Sequence, residues 1–327
     1  MTQFQQQNLN QITQVQPTVA SASPRLATVG QFSAVVLIWS LTPLAAVWTV
    51  QEIHWAWGLF LRFSLSIPLA LLCLFYCRLP LLLNKNALAS YAAGALGLFG
   101  SMLFCYMGAT RISSGMISII YGTAPLWSGL IAVFILKREH FLARQWLGLS
   151  LAVLGLSLTL GIGSGHIQLD MLGVLYEIIA VLLYVMSMFV VAKIGVHIHP
   201  ITQTTGSTLL AWLGYLCLLP FFLSEMPQQL PSLQASFALL YSAVFSSVLA
   251  MIFYFRLIQQ IKPTTVMLIT ILTPVLATFW GVCFNHEPLH THLLLGLLLL
   301  CAGLFLYAYR NTIRPSSTEQ HEHLCRK

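Results

Sequence analysis

Between Ser33 and Tyr309 the chain is a train of apolar stretches, each close to the ~20 helical residues that cross a lipid hydrocarbon core. Five fall near Ser33–Val50, Trp55–Tyr76, Ala89–Ala109, Gly115–Leu136 and Trp146–Ile162. Another five fall near Leu172–Ala192, Thr204–Leu223, Ala235–Phe255, Val266–Phe284 and Leu293–Tyr309. The connections are short, so no sizeable soluble domain fits between them. In lipid each backbone N–H and C=O must find its partner inside the protein, which a helix provides along its own length. The expectation is an all-α integral membrane protein of ten transmembrane helices. Charge content agrees: charged residues make up 7% of the chain, against about 25% in soluble domains. So few charges cannot build a water-facing surface.

The formal net charge of +7 raises nucleic acid as a partner. That would need Lys and Arg gathered on one face or arm, whereas here they are scattered singly and in small groups between apolar runs. No nucleic acid is expected. The scatter instead orients the chain. With the N-terminus in the cytoplasm, thirteen of the fifteen Lys and Arg fall on the cytoplasmic side, as the positive-inside rule requires. Arg111 alone falls outside and Arg62 lies within a span. Glu52, Asp170 and Glu225 mark the outer connections. Both termini are therefore expected in the cytoplasm, with the bacterial inner membrane as the location.

Residues 1–30, rich in Gln, Asn, Ser and Thr, bury too little to fold and are expected to form a disordered cytoplasmic tail. They lack the pattern of a secretory signal. Residues 311–327 form a second cytoplasmic tail. Five of the seven cysteines, Cys73, Cys105, Cys217, Cys283 and Cys301, lie in apolar segments and read as small hydrophobes, with no disulfide framework.

The two halves repeat at an offset of about 148 residues: Tyr106, Glu139, Gly148 and Gly155 recur as Tyr254, Glu287, Gly296 and Gly303. Pro125 matches Pro274 at an offset one larger. Five spans is an odd number, so the second copy enters the membrane upside down, as inverted five-helix repeats do in many secondary transporters. The stretches Tyr106–Leu160 and Tyr254–Ala308 resemble the signature of the EamA-type drug/metabolite transporter family, supported by Trp39 in the first span and Arg62 in the second. The resemblance implies two EamA-like units, residues 31–162 and 171–310. It further implies a basket of helices around a central cavity, with the fifth and tenth spans outside.

Trp39, Ser118, Tyr121, Tyr184, Ser246, Ser247 and Thr270 lie near mid-depth on the expected cavity helices. Aromatic walls with a few hydroxyls suit a small amphipathic solute, although each residue alone reads equally well as core. Arg62 and Glu177 stand out, because a charge inside a membrane is costly and faces the bundle interior. Both lie roughly 8–10 Å below the outer boundary at about 1.5 Å per residue, so they are placed to pair. Glu177 is expected to bind a substrate amine or carry a proton, with Arg62 as its partner or as a carboxylate anchor; a structural ion pair is the alternative. Glu139 and Glu287 begin helices and read as structural.

His286-Glu287-Pro288-Leu289-His290 spells H-E-x-x-H, the zinc-protease pattern. Pro288 is tolerated only at a helix start, so the two histidines are not on one face of an established helix. The chain is read as a carrier, with no catalytic residue, metal or cofactor expected. It would move a small metabolite, such as an amino acid or related solute, by alternating access, in the direction of efflux. Its partners are that solute and the lipid bilayer, with a proton or counter-substrate and a homodimer left open. The rival readings are a membrane-embedded metal-dependent enzyme using His286, Glu287 and His290, and a non-transporting membrane scaffold.

Overall fold

The computed structural model describes residues 24–131, 133, 143–159, 170–194, 198–261, 263–266, 268–286 and 291–308. The expected helix-starting acids Glu139 and Glu287 and both outer tails, 1–23 and 309–327, lie outside the described residues. All regular structure among the described residues is helical. In chain order the helices are α1 (Pro24–Glu52), α2 (Trp55–Tyr76), α3 (Lys85–Ala109), α4 (Ser114–Tyr121), α5 (Ala124–Leu130) and α6 (Ala143–Thr159). They continue as α7 (Met171–Ile194), α8 (Pro200–Leu218), α9 (Leu233–Gln260), α10 (Pro263–Val266), α11 (Ile269–Asn285) and α12 (Thr291–Ala308).

Six of these segments are long and apolar enough to cross a membrane: Leu26–Glu52, Trp55–Tyr76, Lys85–Ala109, Met171–Ile194, Pro200–Glu225 and Leu233–Gln260. Ala143–Leu158, Leu272–Asn285 and Leu293–Tyr307 are shorter apolar helices. The first helix begins at Pro24, ahead of the Ser33 start expected from hydropathy, so residues 24–30 are helical rather than part of a tail. Proline suits a first turn, where its missing N–H would have no partner anyway. The fourth expected span breaks at Gly122–Thr123 into α4 and α5, with Pro125 in the first turn after the break. Thr123 closes that break by donating its hydroxyl to the Ile120 carbonyl at 2.6 Å.

Large apolar side chains such as Leu37, Leu72, Leu213, Phe237 and Phe279 remain exposed along these helices. A water-soluble monomer avoids apolar surface of that extent, and here it is the face that meets lipid. The protein is a multi-pass membrane protein.

Helix ends meet in two sets. In one, Glu52 at the end of α1 accepts hydrogen bonds from the Ser232 N–H and hydroxyl ahead of α9, at 2.7 and 2.5 Å. There too Trp48 donates to Asn285 at 3.0 Å and Arg111 pairs with Asp170 at 2.7 Å. In the other, the start of α1 meets the end of α9 through Thr28 and Gln260, and Gln259 donates to the Ile198 carbonyl ahead of α8 at 2.6 Å.

Two helices carry π-helical stretches, Leu96–Ser101 in α3 and Ser242–Leu249 in α9, whose last residues lie 148 positions apart. A π-turn leaves carbonyls short of helical donors, and a neighbouring hydroxyl supplies one in each case. Tyr215 of α8 donates to the carbonyls of Leu98 and Phe99 at 2.8 and 3.0 Å. Ser66 of α2 reaches the Ala243 carbonyl at 3.2 Å.

The glycines singled out as repeat markers meet one another. A Cβ on Gly303 of α12 would lie 2.5 Å from the Ala152 nitrogen and 2.6 Å from the Gly148 carbonyl of α6. One on Gly148 would lie 2.6 Å from the Gly303 carbonyl, and one on Gly155 would strike the Leu300 nitrogen. Backbone cannot yield as a flexible side chain can, so only glycine permits this approach. Ile119, Leu126, Ala152, Leu297, Leu300 and Leu304 seal the pair against α4 and α5.

Replacing Gly303 by Leu should therefore separate α6 from α12, costing about 2 kcal/mol or more, read as a fall of several degrees in the Tm of detergent-purified protein. Gly30→Ala, where a Cβ meets nothing within 4 Å, should leave Tm unchanged or slightly raised.

Candidate functional site

A chamber of about 840 Å³, counted to its open mouth, lies between α1, α2, α3, α4, α7, α9 and α11. Its aromatic wall comes from helices distant in sequence. Trp39 of α1 packs on Tyr184 of α7 and Tyr254 of α9, at centroid distances of 6.0 and 5.0 Å. Tyr184 stacks on Tyr254 at 5.8 Å and meets Tyr121 of α4 at 6.1 Å. Such rings offer large contact area and little flexibility, and one end of each tyrosine stays polar.

Hydroxyls fix the seams around them. Thr42 of α1 and Ser246 of α9 share a hydrogen bond of 2.7 Å, and Ser101 of α3 and Tyr121 of α4 one of 2.8 Å. Pro43 and Pro274 lack the N–H that would serve the carbonyls of Trp39 and Thr270 four residues earlier. Both α1 and α11 are thereby loosened where they border the chamber. The Tyr184 and Tyr254 hydroxyls, both buried, lie against each other.

Seven of the nine residues singled out in the sequence line this chamber: Trp39, Arg62, Ser118, Tyr121, Tyr184, Ser246 and Thr270. Ser247 instead stands behind Arg62, accepting its Nε–H at 2.9 Å. Ser246, its neighbour, faces the chamber. Glu177 is fully buried on α7 against Gly108 of α3, where a Cβ would strike its Oε1. The Cys105 thiol, which lines the chamber, lies beside the carboxyl. Neither Glu177 oxygen meets hydrogen-bond geometry with any partner among the described residues.

The expected pairing of Arg62 with Glu177 does not form. The Arg62 guanidinium turns to Ser247, to the Tyr106 hydroxyl at 3.3 Å and to the Met102 sulfur at 3.9 Å. Depth placed the two charges at one level, but the facing of their helices points them to different neighbours. Tyr254, Thr42, Ser187 and Thr273 also line the chamber and were not selected from the sequence. Two carried a usable signal: Ser187 and Thr273 lie three residues beyond Tyr184 and Thr270, on the same helix faces.

His286 takes a left-handed conformation, φ 51°, and ends α11. The H-E-x-x-H stretch thus starts where a helix stops, and its Glu287 and His290 lie outside the described residues.

The EamA-like transporter family matches residues 28–161 and again residues 171–309. The chain belongs to the EamA-like transporter family. The family domain is present twice, and its two copies contribute the two walls of the chamber: α1 to α4 on one side, α7, α9 and α11 on the other. Among its relatives in this family is the Bacillus subtilis (strain 168) protein named uncharacterized transporter YoaV. It is 26% identical over 278 residues, covering 84% of this chain and 94% of that protein. Uncharacterized transporter YdfC of the same organism is 32% identical over 103 residues, 32% of each chain. A solved crystal structure is similar with a TM-score of 0.65 at 16% identity, over 88% of this chain and 99% of its own, which shows a shared fold.

At one edge of this EamA-like transporter, Asp170 accepts from Arg111 and from the Leu172 and Gly173 N–H groups at 3.0 and 3.1 Å, capping α7. The Arg111 hydrogen bond, then the Gly173 N–H, hold its carboxyl below the ordinary aspartate range. A depressed carboxylate stabilises the fold above its unfolded pKa, and the effect fades as pH falls through the folded value. Asp170→Asn should therefore lower Tm at neutral pH, and the two Tm values should converge as the pH drops below the aspartate range.

Proposed function

We propose that the protein is a secondary carrier that moves a small amphipathic metabolite, such as an amino acid or related solute, by alternating access. The observation that carries this reading is the chamber at the seam between the two family copies. A site shared by two halves can be exposed to either face by rocking one half against the other. Outward transport is the direction we take from the family resemblance, and the bacterial inner membrane the location.

We further infer ten spans arranged as inverted repeats with both termini in the cytoplasm. Three features support the inversion. The start of α1 meets the end of α9, while Asp170 at the start of α7 meets Arg111 beyond the end of α3, in the opposite set of helix ends. The paired π-stretches of α3 and α9 sit at the repeat offset. Each is served by a hydroxyl from the second helix of the other copy, Tyr215 of α8 for α3 and Ser66 of α2 for α9. In a cysteine-free background, single cysteines at Thr28 and Met171 should react with an impermeant maleimide from opposite faces of the membrane. Reaction from the same face would overturn the inversion.

In this reading Trp39, Ser118, Tyr121, Tyr184 and Thr270 contact the solute, Ser247 positions Arg62, and Glu177 carries a proton or meets a substrate amine reached past Cys105. Reconstituted protein should show counterflow of at least one labelled metabolite from a mixed panel. Glu177→Gln should alter its rate or its dependence on pH; a rate and pH profile equal to wild type would end the Glu177 assignment. A solute that binds without counterflow would favour the scaffold reading.

A further inference from the structure

The one charge that faces the chamber is positive. Among the described lining residues Arg62 alone is ionic, and it is 2% exposed. Its recorded partners are all neutral: the Ser247 hydroxyl, the Tyr106 hydroxyl and the Met102 sulfur. These engage Nε and Nη1, while Nη2 makes no hydrogen bond among the described residues. A guanidinium stays charged at any pH a cell meets. Buried within a membrane protein without a counter-ion, it is costly. Glu177 makes no hydrogen bond with Arg62.

We infer that the transported solute carries a single carboxylate, which docks on Arg62 Nη2. The inference rests on the chamber being the solute site. The stoichiometry of charge decides the class. One carboxylate brings the occupied chamber to neutrality, a dianion would leave a net negative charge in low dielectric, and a cation would add to the positive one. The remainder of the solute is constrained by the opposite wall. Trp39, Tyr121, Tyr184 and Tyr254 call for an apolar or ring-bearing body. The paired hydroxyls of Tyr184 and Tyr254 offer it a polar edge to meet.

The test is binding to the detergent-purified full-length protein, read by quenching of tryptophan fluorescence, since Trp39 lines the chamber. Three probes share one ring and one chain length: 3-phenylpropionate, 3-phenylpropionamide and 3-phenylpropylamine. Sulfate serves as a dianionic competitor. The wild type should bind the carboxylate about tenfold or more tightly than the amide or the amine, and sulfate should not displace it. Arg62→Gln should erase the preference while still binding the amide, which also reports that the variant is folded. Arg62→Lys should keep part of the preference.

Equal binding of amine or amide by the wild type overturns the inference, as does a preference that survives in Arg62→Gln, displacement by sulfate, or no binding of the carboxylate. Because binding in detergent needs no transport, such a failure leaves the carrier reading to stand or fall by counterflow.

Discussion

The hydrocarbon of the membrane offers no hydrogen bonds, so every polar backbone group of this chain has to be served from within the protein. That constraint makes all regular structure among the described residues helical, and it also governs the departures from helix. Where α3 and α9 widen into π-turns, Tyr215 and Ser66 take over the donors the helix gives up. Where α4 breaks, the Thr123 hydroxyl closes the gap. Irregular backbone at membrane depth survives only where it is buried in protein or borders a cavity. The chamber occupies that very zone: Gly97 and Leu98 of one π-stretch and Ser246 of the other line it.

The class of fold was legible because it depends on quantities that a linear sequence carries without loss. Span length, charge scarcity and the distribution of Lys and Arg need no knowledge of which helix touches which. The repeat was legible for a similar reason, since duplication preserves spacing: Gly148 and Gly296, or Gly155 and Gly303, mark equivalent turns. Their contact with one another across α6 and α12 was not legible, because spacing along a chain does not say which seams close. Trp39, Tyr121 and Tyr184 could be selected by depth plus chemistry, and they do line one chamber.

The same procedure did not reveal which way Glu177 and Ser247 face, for a physical reason. Depth fixes how far along its axis a side chain sits, whereas function depends on rotation about that axis. A turn of about 100° per residue separates Ser246, which faces the chamber, from Ser247, which holds Arg62 from behind. Glu177 shares a level with Arg62 yet turns toward Gly108, whose missing side chain leaves the space its carboxyl fills. A charge inside a span signals that something must compensate it. It does not say whether the compensation is a neighbour, a proton or a ligand.

Two kinds of seam result, and they differ in how readily they can part. Between α6 and α12 backbone lies on backbone with no side chain to adjust, so any displacement loses dispersion contacts along the whole pair. Around the chamber some links are single hydroxyl pairs, Thr42 with Ser246 between the two copies and Ser101 with Tyr121 within the first. Such bonds average about 0.6 kcal/mol in a membrane interior, because alternative partners are at hand when they break. The rocking proposed above requires rigid pieces and weaker links in the same molecule. The glycine seam ties the ends of the two family copies together, while α1 and α9 are joined beside the chamber by a single hydroxyl pair.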